Sequence, residues 1–323
     1  MAEIVADKPF LPRQRTLVVI HGNIGAGKST TLRFLSSKYE RYVATGEVVI
    51  IPEPVEDWID AGILQALYDN ALSSGVFQLA ALATRVGAWS KILQDDKARL
   101  IFAERSPASD RAIFAKTLLT GHELVAYNLA YNAIAPVEPR RTVHIVLECK
   151  IDVLVERVAQ RGRLAETGPT FTPDYLSRIE AAHAPYLTTI PIENRFYIDA
   201  NLPPCDITDQ ICIKLFDWEM ARKDRVRRSY TSLGDSDDEV IDVDKIDNVG
   251  SSAVSTQETM APDALEGATS NTEVGAGYGA APPASVTGSE NSSVSESAPA
   301  GARDDDDGQP CVLCAPGACD CYL

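Results

Sequence analysis

Five short apolar runs rich in β-branched residues punctuate the first two hundred positions: 16–20, 48–51, 100–102, 143–147 and 196–198. Such runs, without polar alternation, are those of strands buried on both faces, as in a parallel sheet. Between them lie longer stretches with apolar residues three and four apart, including 29–39, 63–93, 112–133 and 152–161, which read as helices. Strands alternating with helices predict right-handed βαβ units. The expected fold is an α/β, doubly wound, five-stranded parallel sheet with helices on both faces. Ligands of such sheets gather beyond the carboxyl ends of the strands, so chemistry is expected just after each run.

The first run leads directly into Gly22, Asn23, Ile24, Gly25, Ala26, Gly27, Lys28, Ser29 and Thr30. This is a P-loop, G-x-x-x-x-G-K-S, between a predicted strand and a predicted helix. Its glycines let backbone N–H groups curl around a phosphate, and the helix N-terminus adds partial positive charge. Lys28 would reach the β- and γ-phosphates and the Ser29 hydroxyl would sit on Mg²⁺. The competing explanation is a glycine turn without a ligand. The loop specifies a nucleoside triphosphate but not the use made of it.

The other strand ends add charge. Glu53, Pro54 and Val55 follow the second run, with Trp58 one turn on; Glu104, Arg105 and Ser106, then Asp110 and Arg111, follow the third. A carboxylate there can accept the proton of an attacking hydroxyl, while Glu104 could help hold Mg²⁺ and Arg105 could steady charge near the reaction centre. A purely structural Glu53–Arg105 ion pair is the alternative. Arg157, Arg161 and Arg163 precede Glu166 and a Gly/Pro/Thr-rich stretch. They read either as a lid that clamps phosphates or as a solvated basic face.

Charge divides the chain. Residues 229–323 hold 18 acidic residues against Lys245 and Arg303, a net of −16, which equals the formal charge of the whole protein. Residues 1–228 are neutral, with 28 basic and 28 acidic residues, so the low isoelectric point belongs to the tail. That tail has no Phe or Trp and is rich in Ser, Ala, Gly, Asp and Pro, a composition that predicts disorder. The expected organisation is one catalytic domain over 1–228 and an acidic low-complexity tail over 229–323. No stretch has the length of a membrane span, and the first fifteen residues lack the apolar core of a secretory signal. Cys149, Cys205 and Cys212 show no disulfide framework, and the four histidines (His21, His122, His144, His183) are scattered without ligand spacing. A reducing cytoplasmic or nuclear compartment is the expectation, with no nucleic-acid partner.

The ordered set Gly22 to Thr30, Glu53-Pro-Val, Phe77-Gln78 with Arg85, Glu104-Arg-Ser with Asp110-Arg111, and Arg161-Gly-Arg163 with Glu166 resembles the deoxyribonucleoside kinases, most closely the deoxycytidine/deoxyguanosine kinase branch. The resemblance spans roughly residues 15–220. It implies a P-loop NTPase fold with an arginine lid, ATP as phosphate donor with Mg²⁺, and transfer of the γ-phosphoryl group to the 5′-hydroxyl of a deoxynucleoside. It also implies Glu53 as general base, Arg105 as its positioning partner, Lys28 on the phosphates, and Ser29 with Glu104 at the metal. Arg157, Arg161 and Arg163 become the helix-and-lid arginines. Tyr68 and Glu166 bind the 3′-hydroxyl, Gln78 the base edge, and Trp58, Phe77, Ala81 and Phe114 line the pocket. An Arg85–Asp110 pair at the base implies a preference for deoxycytidine, deoxyadenosine and deoxyguanosine over thymidine. A homodimer is implied as well. Two departures stand out: the stretch from Tyr68 to Gln78 is about a residue short for the family, and the lid from Glu166 to Tyr175 about two residues long.

Rival readings are a thymidylate-type monophosphate kinase and an inactive nucleotide-binding module whose tail recruits partners. In the tail, Val240, Ile241, Asp242 and Val243 lie in acidic flanks, and resemble a SUMO-interacting motif that adds a strand to its partner. An acidic spacer is the alternative. Ser236, before Asp237, Asp238 and Glu239, resembles an acidophilic kinase site. Cys311, Cys314, Cys319 and Cys321 read as zinc ligands, S-acylation sites or an incidental Cys-rich end.

Overall fold

The computed structural model describes residues 9–167 and 171–231. The tail features at 236–243 and 311–321 lie outside them. Five strands, β1 (Thr16–His21), β2 (Val48–Ile51), β3 (Leu100–Glu104), β4 (Thr142–Glu148) and β5 (Arg195–Asp199), form one sheet in the order β2-β3-β1-β4-β5. Every pairing is parallel. Helices α1 (Lys28–Lys38) and α2 (Glu40–Thr45) precede β2. Then come α3 (Val55–Asp60), α4 (Ile63–Tyr68) and α5 (Ser74–Leu93). After β3 follow α6 (Pro107–Asp110), a π-helical turn (Arg111–Ala115), α7 (Lys116–Leu118) and α8 (Gly121–Ile134). Helices α9 (Ile151–Arg161) and α10 (Pro173–Thr188) lead to β5, and α11 (Pro204–Thr231) runs past position 228.

All six residues of β1 are buried, because this central strand has a core on each face. Val18 and Ile20 pack with Leu32 and Leu35 of α1, Leu154 of α9 and Ile207, Ile211, Leu215 and Trp218 of α11. Leu17 and Val19, on the opposite face, pack with Trp89 of α5, Ile101 and Ala103. Alternate residues of one strand thus serve two apolar layers, which is the physical reason for its unbroken apolar run. Because β1 lies between β3 and β4, the chain reverses direction across the sheet there, and the loop leaving β1 opens into the crevice.

Two expected helices are interrupted. The 63–93 stretch breaks at 69–73, where Asn70 adopts φ 57° and Ser73 starts a new helix by accepting a hydrogen bond from the Val76 amide at 3.3 Å. The 112–133 stretch breaks where Leu119 and Thr120 are extended. Apolar periodicity survives such breaks, because the separate helices pack the same core. Among the described residues, no helix is long and apolar enough to cross a membrane.

Candidate active site

The phosphate loop depends on backbone that only glycine adopts freely. Gly22 sits at φ 142°, and a Cβ there would come within 2.9 Å of the Leu147 carbonyl oxygen. Gly25, at φ 83°, presses against α9, with a Cβ position 3.0 Å from Val158 Cγ2. Within the loop, Asn23 Oδ1 accepts from the Ile24 amide at 2.8 Å. Its Nδ2 donates to the Leu176 carbonyl at 2.9 Å and to Glu180 at 3.0 Å, tying the loop to α10. Ala26 closes the turn by donating its amide to the Asn23 carbonyl at 3.2 Å, and Thr30 lies in the first turn of α1.

Lys28 is buried, donates to the Asn23 carbonyl at 2.8 Å, and lies 3.7 Å from Glu104. Burial, then the Arg105 charge, pulls its ammonium down to about 7, with Glu104 and Glu53 opposing. A phosphate placed beside it would offset that pull and favour the ammonium. Ser29 Oγ donates to Glu104 Oε2 at 2.8 Å. A hydroxyl beside a carboxylate is a hard oxygen set that fits Mg²⁺, which retains waters and takes one or two carboxylates alongside substrate phosphates.

At the ends of β2 and β3, Arg105 Nη1 donates to both oxygens of Glu53, at 2.8 and 2.6 Å, and its Nη2 to the Gly22 carbonyl at 3.3 Å. Arg85, from α5, donates from Nη2 to the same carboxylate at 2.8 Å and to Asp110 Oδ1 at 3.4 Å, while its Nη1 reaches the Glu104 carbonyl at 3.3 Å. The base-pocket pair expected from the sequence is therefore also bonded to Glu53, a link that spacing did not reveal. Burial alone would raise the Glu53 carboxyl, but Arg105, Arg85 and Lys28 outweigh it and hold it well below the usual range. Arg105 adopts φ 57°, a conformation costing a non-glycine residue about 1–3 kcal/mol and found where a side chain must be aimed.

The pocket residues gather beside this pair. Trp58, Tyr68, Phe77, Ala81 and Phe114 share one buried cluster with Ile113, Tyr175 and Ile179. Trp58 meets Phe77 edge to face at 5.4 Å, and the Arg105 guanidinium lies 4.7 Å from the Phe114 ring centre. Despite the short stretch after it, Tyr68 reaches the lid side, packing on Phe171 at 5.5 Å and Tyr175 at 6.4 Å. Gln78 is buried, and among the described residues its Oε1 has no hydrogen-bond partner. An unsatisfied buried acceptor is costly and points to a ligand donor. Tyr175, Phe171 and Tyr127 were not anticipated. Tyr175 carried a usable signal, since it follows the helix-start pattern Thr172-Pro173 on the face shared by Ile179.

The expected arginine lid divides. Arg161 makes bonds of 2.5–3.1 Å to Glu166, and Arg163 lies 3.6 Å from Glu166 and 3.5 Å from Glu56. Arg157 instead turns to the Ala200 carbonyl at 2.9 Å.

Three of the four histidines, scattered along the sequence, meet beneath the phosphate loop. His21 Nε2 lies 2.9 Å from His144 Nδ1 with the rings stacked, and His183, bonded to the Ile179 carbonyl, faces them from α10. Burial, then His144 and His183, keeps His21 well below 6.5, and burial holds His144 and His183 at about 4. Strand pairing brings positions 21 and 144 together, so linear spacing carried no sign of it. Among the described residues, no group of three or more His, Cys, Asp or Glu is arranged to hold a metal.

The chain is similar to known proteins. A probable deoxycytidine kinase of fowlpox virus is 29% identical over 182 residues, covering 53% of this chain and 71% of that protein. Deoxycytidine kinase 2 of Gallus gallus is 28% identical over 212 residues (56% and 77%), and mitochondrial deoxyguanosine kinase of Xenopus laevis 27% over 213 residues (57% and 77%). In fold, a deoxyadenosine kinase from M. mycoides with dCMP and a flexible dCDP bound superposes with TM-score 0.51 at 21% identity, over 62% of this chain and all of that one. The deoxynucleoside kinase family model matches residues 18–228, from β1 into α11. Over that span, and on that fold, the chain belongs to the deoxynucleoside kinases, a family of ATP-dependent phosphotransferases.

Proposed function

We propose that the protein transfers the γ-phosphoryl group of ATP to the 5′-hydroxyl of a deoxyribonucleoside, with Glu53 as general base, and prefers deoxycytidine, deoxyadenosine and deoxyguanosine to thymidine. The observation that carries this reading is the position of Glu53. It lies at the end of β2, bonded to Arg105 and Arg85, with Lys28 among the charges acting on it. Such a carboxylate stays ionised at neutral pH and is a weak base, which suits a loose transition state in which the hydroxyl loses its proton late. Arg105 fixes its two oxygens, so one lone pair is aimed at the incoming hydroxyl. Lys28 gathers phosphate charge, and Arg161 and Arg163 approach from the lid. Ser29 and Glu104 would hold Mg²⁺, which when bound neutralises phosphate charge.

The base preference rests on polar chemistry. Among the described residues the Gln78 oxygen has no partner, and Asp110 presents a buried carboxylate. Both accept from the amino group of cytosine or adenine, whereas the 4-oxygen of thymine offers them no proton. The deoxycytidine and deoxyguanosine kinases among the relatives support the same direction. Tyr68 and Glu166 meet the 3′-hydroxyl in this reading; α4 packs against the Leu164–Thr167 turn that carries Glu166. Homodimerisation is supported by apolar side chains left exposed on two mutually packed helices, Val76 and Leu79 of α5 with Val125 and Leu129 of α8.

The test offers ATP–Mg²⁺ and each of the four deoxynucleosides, with thymidylate in parallel, to the full chain. Turnover of deoxycytidine or the purines supports the reading, and activity on thymidylate alone replaces it with a monophosphate kinase.

A further inference from the structure

Tyr127 is not among the residues assigned to the substrate, yet it holds one of them. Its ring is fully buried on α8, packed with Leu82 and Val86 of α5 and with Ala115 and Leu119. Its hydroxyl donates to Asp110 Oδ2 at 3.0 Å, while Arg85 takes Oδ1. Arg111, the next residue, does not compete: its Nε donates to Asn128 at 2.8 Å and its guanidinium lies over the Tyr131 ring. Arg85 Nη2 then divides its two N–H groups between Asp110 and Glu53.

We propose that Tyr127 is a positioning residue that acts through Asp110 and Arg85, so that the identity of the base is felt at Glu53. This rests on the reading of Glu53 and the base pocket given above. The physical argument runs along the chain of bonds. A rigid hydroxyl on Oδ2 fixes the carboxylate plane of Asp110 and leaves Oδ1 to share between Arg85 and a base amino group. That amino group loosens the hold of Asp110 on Arg85, which turns further onto Glu53 and sets its orientation. A base without the amino group leaves Arg85 divided. Discrimination then shows in kcat as well as in KM. Asp110 is drawn toward protonation by burial and by the nearby Glu53 charge, against Arg85 and the Tyr127 hydrogen bond. Removing the hydroxyl favours the protonated acid, and a protonated Asp110 releases Arg85 to Glu53 whatever base is present.

The experiment compares the wild-type protein with Tyr127→Phe, Asp110→Asn and the double variant, on deoxycytidine and thymidine, as full chains. The wild-type arm and Glu53→Gln test the underlying reading by themselves. With that reading intact, Tyr127→Phe is expected to lower kcat/KM for deoxycytidine about tenfold, the size of one hydrogen bond to a charged group, chiefly through KM, and to raise kcat for thymidine. The acid limb of the deoxycytidine profile should move to higher pH in Tyr127→Phe; the nucleoside's own titration is common to both proteins. Adding Tyr127→Phe to Asp110→Asn should cost almost nothing more. Equal losses on both nucleosides, an unmoved acid limb, or additive effects would overturn the proposal. If Tyr127→Phe does not fold, Asp110→Asn decides: its profile must lose the acid limb, and retention of the limb assigns it elsewhere and refutes the relay.

Discussion

Arg105 grips both oxygens of Glu53, at 2.8 and 2.6 Å, from a backbone held at φ 57°. The bidentate pair and the strained backbone belong together. The left-handed conformation turns the chain as it leaves β3 so that the guanidinium points back across the sheet end toward β2. Arg105→Lys keeps the charge but loses the second nitrogen, Nη2, that holds the Gly22 carbonyl while Nη1 holds Glu53. It should reduce kcat at least tenfold with a smaller change in KM for ATP, as steady-state kinetics would record.

Glu53→Gln keeps the shape of the side chain and removes the proton acceptor. Turnover should fall about 10²–10⁴-fold, the range ascribed to a positioned general base. ATP binding, followed by calorimetry, should stay within a few-fold of wild type. A variant retaining most of its rate would remove Glu53 from the role of base.

Burial and the Arg105 charge draw the Lys28 ammonium down to about 7. Bound phosphate charge favours the ammonium, so at pH 8 binding of ATP should draw a proton from solution. Calorimetry in two buffers of different ionisation enthalpy measures that uptake. Heats that do not depend on the buffer would mean that the lysine is already charged.

The histidine cluster sets a lower pH limit on stability. His144 and His183 titrate at about 4 in the folded chain, against 6.5 for the unfolded one. As pH falls below 6.5 the unfolded chain takes up these protons first, so stability is complete above 6.5 and declines toward 4. His144→Gln with His183→Gln should flatten that decline, measured as melting temperature between pH 7 and pH 4.5. An unchanged slope would place the acid sensitivity elsewhere.

Gln78 offers a contrast between structure and function. With Oε1 buried and unpartnered among the described residues, Gln78→Met relieves an unsatisfied acceptor and should leave the melting temperature unchanged or higher. Deoxycytidine kcat/KM should nevertheless fall about tenfold or more. A loss of stability without loss of activity would make the residue structural.

The sheet and the phosphate loop were legible in the sequence because both are local. Each strand run is apolar on its own account, and Gly22 to Ser29 must be contiguous to wrap one phosphate. Glu53, Arg105 and Asp110 were legible too, since each follows directly on a strand end or one short turn later. What the sequence did not carry was partnership at a distance. The bond from Arg85 to Glu53 spans 32 positions, the Tyr127–Asp110 bond joins separate helices, and His21 meets His144 across 123 positions. Apolar periodicity also ran through the helix breaks at Asn70 and Thr120, because hydrophobic pattern records which face is buried and not where the backbone turns. The sequence alone determined which elements form and which chemical groups stand at their ends. Only the tertiary structure decided which of those groups touch, because hydrogen bonds and ion pairs depend on distances of a few ångströms set by the packing of the whole domain.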